Sequence, residues 1–145
     1  MIYADSSVIV KRYYDEPGSQ RVRDRWMGSD RVFTSIVSYA EVHAVLARKR
    51  REGGISGVGF RSAALAFENE WRSYDHVLVD TSTLTDVRRL VQRHPLRGFD
   101  TIHLAAALWL RRELGSEVEF WVSDERLEAA AGKERLTVVN PERSS

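Results

Sequence analysis

The chain has 145 residues, 43% of them hydrophobic, and 22 lysines and arginines stand against 21 aspartates and glutamates for a net charge of +1. That length suits one domain with a real core and is short for two, while the near-neutral balance means that any basic surface must be local. There is no cysteine, which excludes disulfide staples, thiolate metal sites and cysteine nucleophiles.

No apolar run approaches membrane-spanning length, and Met1 leads straight into strand-like residues, so a soluble, cytoplasmic protein is expected. Ile2-Tyr3-Ala4 reads as a short buried strand that stops at Asp5, with Ser6 and Ser7 opening a helix that carries Val8, Ile9 and Val10. After the turn Glu16-Pro17-Gly18-Ser19, with Ser19 a candidate N-cap, Val22 and Trp26 stand one helical turn apart. Arg31 to Thr34 is a candidate second strand. A helix is expected from Ile36 to Arg51, with Val37, Ala40, Ala44 and Val45 along one stripe and four basic residues at the end that suits them electrostatically. A second long helix runs from Ser56 to Tyr74, its Phe60, Ala63, Ala64, Phe67, Trp71 and Tyr74 spaced by three and four.

His76 to Val79 is a third strand, and Asp80-Thr81-Ser82 is expected to open a helix running to Arg93. Past the break His94 to Gly98, Asp100 to Glu113 is apolar nearly all round and should be deeply buried. Glu117 to Val122 is a fourth strand, Ser123-Asp124 opens a short helix through Ala131, and Leu136 to Val139 is a fifth strand. Residues 1–140 form one domain on this reading, and 141–145 are a polar tail expected to fray. Repeated strand–helix alternation predicts an α/β fold, a three-layer sandwich around a mainly parallel five-stranded sheet.

Asp5, Asp100 and Asp124 each stand at a helix start, where capping alone explains an aspartate. Glu41 is different. It shares the stripe of Val37, Ala44 and Val45, and no Lys or Arg lies three or four residues away to pair with it. An ionised carboxylate so placed is costly unless it pairs or holds a cation; a side chain reaching out from the stripe's edge is the bland alternative. Acids ending parallel strands collect where open α/β sheets bind ligands. Four carboxylates there repel one another unless a hard divalent cation such as Mg²⁺ or Mn²⁺ lies among them, and phosphodiester hydrolysis is the use of such a site.

Five stretches then carry a family resemblance along essentially the whole chain: Asp5-Ser6-Ser7-Val8-Ile9-Val10-Lys11, Glu16-Pro17-Gly18-Ser19, Tyr39-Ala40-Glu41-Val42, Gly98-Phe99-Asp100-Thr101-Ile102-His103-Leu104-Ala105 and Ser123-Asp124-Glu125-Arg126-Leu127. Together they resemble PIN-domain ribonucleases, specifically the VapC-type toxins of toxin–antitoxin pairs. The resemblance implies a metal-dependent endoribonuclease with a catalytic quartet of Asp5, Glu41, Asp100 and Asp124. It implies Mg²⁺ or Mn²⁺ held mainly by Asp5, Asp100 and Asp124, with Glu41 acting through the metal or orienting water, and Ser7 steadying the site by hydrogen bonding. It also implies an RNA substrate, a cognate VapB-like antitoxin that blocks the cleft, and a first strand lying centrally between the second and fourth.

His103, one turn after Asp100, is expected as a buried histidine bonded to backbone or a site carboxylate rather than a metal ligand. Arg48 to Arg51, and better Arg88, Arg89, Arg93 and Arg97, are candidates for RNA contact. The four tryptophans fall in packing patterns. The apolar stripes around Val37 to Val45 and Phe60 to Tyr74 are expected to cover a homodimer or antitoxin interface. Three other functions compete with this reading: a housekeeping RNA-processing nuclease, a receiver domain phosphorylated on Asp80, and a non-catalytic binding module. Asn140-Pro141 stands where a receiver wants lysine, and neither of the last two explains Glu41 with Asp100.

Overall fold

The computed structural model describes residues 1–28 and 31–143. Five strands, β1 (Ile2–Ala4), β2 (Val32–Ser35), β3 (Asp75–Val77), β4 (Glu119–Trp121) and β5 (Thr137–Val139), form one sheet in the order β3-β2-β1-β4-β5. Every pairing is parallel, with Ile2 opposite both Val32 and Glu119. β1 is therefore central and covered on both faces, which is why a run as short and apolar as Ile2-Tyr3-Ala4 is wholly buried.

Side-chain alternation divides the core in two. Tyr3, Phe33 and Phe120 point to the face covered by α5 (Val87–Arg93), α6 (Gly98–Leu114) and α7 (Glu125–Lys133). Ile2, Ala4, Val32 and Trp121 point to the face covered by α1 (Ser6–Tyr13), α2 (Ser19–Met27), α3 (Ser38–Arg51) and α4 (Gly57–Trp71). The result is the three-layer α/β sandwich that the alternation predicts, and α6 is its most buried helix, with Leu104 to Leu108 all in the core.

Local chemistry moves several boundaries. The expected helix over 80–93 is a turn up to Asp86 followed by the seven residues of α5. Asp80 Oδ1 accepts from the Ser82 and Thr83 amides, Thr83 Oγ1 donates to the Leu78 carbonyl, and Thr85 Oγ1 donates to the carbonyls of Thr81 and Ser82. Side chains that bond their own backbone this way compete with the helix. Ser19 does not cap α2: Gly18, at φ 90°, holds that position, while Ser19 Oγ accepts from the Glu16 amide and donates to the Tyr14 carbonyl. On α3 the core-facing row is Ser38, Val42 and Leu46, not the expected stripe; Ala40 and Ala44 are exposed, and Val37, Glu41 and Val45 form a half-buried shoulder.

The α4 stripe is largely consumed inside the chain, with Phe67 fully buried and Trp71 stacked on His76 at 4.0 Å. Residues 141–143 do not fray: Arg143 Nε donates to Glu128 Oε2 and Arg21 Nη1 to the Arg143 carbonyl, while Ser144 and Ser145 lie outside the described residues. No helix among the described residues is long and apolar enough to cross a membrane.

Candidate acidic active site

Asp5 sits where β1 gives way to α1, at the carboxyl end of the central strand. Its amide donates to the Trp121 carbonyl at 3.0 Å, continuing the sheet by one residue, and its side chain caps α1. Ser7 locks that carboxylate: the Ser7 amide and hydroxyl donate to Asp5 Oδ2 at 3.2 and 2.6 Å. Ser7 Oγ in turn accepts from the Ser123 amide at 3.2 Å, tying the start of α1 to the turn between β4 and α7. Asp124 follows in that turn and caps α7 through the Leu127 amide at 2.9 Å. For Asp5 and Asp124 the capping and site placements coincide. Asp100 is not a cap; α6 begins at Gly98, and Asp100 is half-buried inside its first turn.

Glu41 joins the group from α3 through a histidine. His103, fully buried on α6, has Nε2 2.7 Å from Glu41 Oε1 and 3.5 Å from Asp5 Oδ1, and its Nδ1 lies 2.9 Å from the Tyr3 hydroxyl. Burial alone would lower the His103 pKa; the charge of Asp5, the Glu41 hydrogen bond and charge, and Asp100 outweigh it and hold the pKa above the usual histidine value. Protonated, His103 donates from both nitrogens, to the Glu41 carboxylate and to the Tyr3 oxygen. Tyr3 stays a neutral phenol: burial first, then the charge of Asp5, push its pKa well above the tyrosine range.

Asp100 registers the crowding of acids. Burial raises its pKa above the ordinary carboxylate value, and the charges of Asp5, Asp124 and Glu41 add to that, with only His103 opposing. Asp100 and Asp124 face a cleft of about 440 Å³ that Arg97, Ser123, Glu125 and Arg126 also line. Among the described residues no three His, Asp or Glu side chains form a ready-made cation cage. The donor set is nonetheless one of hard oxygens in excess negative charge, and its chemistry fits Mg²⁺ or Mn²⁺ and not a soft metal.

Tyr3 is the site residue that sequence reading misses. A tyrosine in an otherwise aliphatic buried strand has a hydroxyl that needs a partner, and that was the available signal. The remaining candidates fall elsewhere. Asp80, the acid that suggested a receiver, is exposed with its carboxylate used in the 80–83 turn, and Asn140, standing where a receiver wants lysine, donates from Nδ2 to Glu128 Oε2. Arg89 and Arg93 pair with Glu134 at 2.7 and 3.3 Å, beside buried His94. Lys49 pairs with Glu16, and of the candidate RNA-contacting arginines only Arg97 lines this cleft. A larger hollow of about 630 Å³ lies between the end of α1 and α4, but its Arg12 is already bound to Glu70.

The family model described as PIN domain matches residues 2–133. Ribonucleases VapC45 and VapC49 of Mycobacterium tuberculosis are each 31% identical over 131 residues, 90% of this chain and 89% of theirs. Among solved structures, FitAcB from Neisseria gonorrhoeae has a TM-score of 0.71 at 16% identity, covering 97% of this chain and 98% of that one. A toxin–antitoxin complex from Klebsiella pneumoniae has a TM-score of 0.67 at 14% identity with the same coverage, and both share this fold.

Proposed function

The chain belongs to the PIN-domain family, in its VapC-type branch, and we propose that it is a divalent-metal-dependent endoribonuclease, the toxin of a toxin–antitoxin pair, working in the cytoplasm. The observation that carries this reading is that Asp100 and Asp124 face one cleft, that buried His103 lies 2.7 Å from Glu41 and 3.5 Å from Asp5, and that burial and the charges of the other three carboxylates raise the Asp100 pKa with only His103 opposing. So much unbalanced charge is expensive for a merely structural cluster and useful in one that receives a cation.

On this reading Asp5, Asp100 and Asp124 would hold Mg²⁺ or Mn²⁺, which when bound supplies an acidified water and neutralises charge on the phosphate. Ser7 keeps the Asp5 carboxylate in one rotamer by taking Oδ2. Glu41, its Oε1 held by His103, orients the attacking water, and Tyr3 fixes the far side of the imidazole. His103 touches no substrate in this scheme; it positions Glu41 and supplies one balancing positive charge.

The names of the relatives support an RNA substrate and an antitoxin partner; a VapB-like antitoxin that covers the cleft is part of the proposal. A homodimer is also proposed, supported by exposed Leu65 on α4 and by exposed Leu78 and Val79 beyond β3. The test is cleavage of total cellular RNA by antitoxin-free protein with Mg²⁺, Mn²⁺ or EDTA, the wild type beside Asp5→Asn and Asp100→Asn. Metal-dependent cleavage that both substitutions abolish is expected. Cleavage that persists in EDTA, or survives in both variants, would overturn the assignment.

A further inference from the structure

Two arginines in the cleft have no part in the chemistry above. Arg97 occupies the N-cap of α6 and Arg126 the first turn of α7. Both are exposed and line the cleft with Asp100 and Asp124, and among the described residues neither is ion-paired. The acid between Asp124 and Arg126, Glu125, is within 3.6 Å of Arg143 instead.

Their position runs against local electrostatics. A helix N-terminus is the positive end of the dipole and disfavours cations. The basic residues of α3 and α6 crowd the last turns, where that rule favours them, whereas Arg21 of α2 and Arg88 and Arg89 of α5 stand in first turns. Arg97 and Arg126 also stand at helix starts, and they differ from those in lining the acidic cleft. Beside Arg97, Phe99 is 57% exposed in the first turn of α6, immediately before Asp100. Ser123 lines the same cleft, and its hydroxyl has no hydrogen-bond partner among the described residues.

A polyanion must come closest to this protein where its carboxylates are densest, and repulsion there has to be offset nearby. We propose that Arg97 and Arg126 form a two-point clamp on the phosphates of an RNA strand either side of the one cut, with Phe99 as the face on which a neighbouring unpaired base stacks. The clamp rests on the endoribonuclease reading. It gives the cleft a preference for single-stranded RNA, whose bases are free to splay onto an aromatic ring. Backbone contact through guanidinium carries little base specificity, so the clamp sets affinity, and Phe99 tolerates every base.

The experiment is a salt series of fluorescence anisotropy with a short labelled single-stranded RNA in EDTA, for wild type, Arg97→Gln, Arg126→Gln, Phe99→Ala and the charge control Arg61→Gln, which alters an exposed residue of α4. Each cleft arginine lost should make the slope of log affinity against log salt shallower by about 0.7 and weaken binding several-fold. Phe99→Ala should weaken binding by roughly tenfold with the slope unchanged. Arg61→Gln should bind as wild type. Melting temperatures of the arginine variants should equal or exceed that of wild type, since neither side chain is ion-paired and both oppose the helix dipole.

Wild-type slope and affinity in both Arg97→Gln and Arg126→Gln overturn the clamp, as does a wild type that binds no RNA. Cleavage of the same RNA with Mn²⁺ separates the two ideas. A wild type that cuts, with arginine variants unaltered in binding, removes the clamp and keeps the nuclease. A wild type that binds through both arginines yet leaves this RNA uncut with Mn²⁺ or Mg²⁺ keeps the clamp and removes the nuclease.

Discussion

Asp100 is less at ease ionised in the folded chain than it is unfolded, because burial and three neighbouring carboxylates disfavour its charge. Its contribution to stability is therefore present below the ordinary carboxylate pKa and lost as pH rises through the raised folded value. In EDTA at neutral pH, Asp100→Asn should melt higher than wild type, by about 1 kcal/mol or less after solvent screening, or roughly 2 °C. The gain should vanish as pH falls and the wild-type carboxyl takes up its proton; a variant that melts lower at neutral pH would contradict the repulsion. Ser7→Ala removes the hydroxyl that holds Asp5 and accepts from the Ser123 amide. Cleavage should fall by roughly ten- to a hundredfold, as losses of outer-shell partners do. Tyr3→Phe leaves buried His103 Nδ1 without its partner and should cost about 1–2 kcal/mol in urea denaturation.

The elements show how far sequence patterns reach. Strand–helix alternation was legible because period-2 and period-3.6 patterns are local, and the acids ending β1 and β4 were legible because caps and sites share those positions. The Tyr3–His103–Glu41 chain could only be guessed at in part, since its bonds span sequence separations of 100 and 62 residues. The α3 stripe was misread by one residue. Alanines at 40 and 44 look apolar but face solvent, and the buried row begins at Ser38, whose hydroxyl shares a hydrogen bond with Thr34. Helix α4 carries the clearest consequence. Trp71 lies within ring-contact distance of Tyr39, Phe67, Tyr74 and His76, so its work is inside the protomer. Trp71→Glu should lower the melting temperature by the same amount at every protein concentration; a loss that shrinks as protein is concentrated would return Trp71 to an interface.

At the scale of the whole molecule, two halves of core meet on a five-stranded sheet whose central strand delivers Asp5 to the carboxyl edge, where strand order reverses. The fold's own charge network lies apart from that edge. Burial would raise the Glu134 pKa, but hydrogen bonds from His94 and Arg89 and the charges of Arg89 and Arg93 hold it below the ordinary value of 4.5. Stability from this cluster is present above that value and lost as pH falls through the depressed one, so the acid side of a melting-temperature profile should be shallower in Glu134→Gln than in wild type. At the acidic edge Asp100 behaves in the opposite sense, its pKa raised by burial and by the charges of the neighbouring carboxylates. That repulsion is what a divalent cation would correct, and calorimetric titration of Mn²⁺ into metal-stripped wild type and Asp100→Asn, without RNA, measures it most directly. Saturable binding by the wild type that Asp100→Asn weakens at least tenfold is the predicted result. No binding, or equal binding by both proteins, would contradict it.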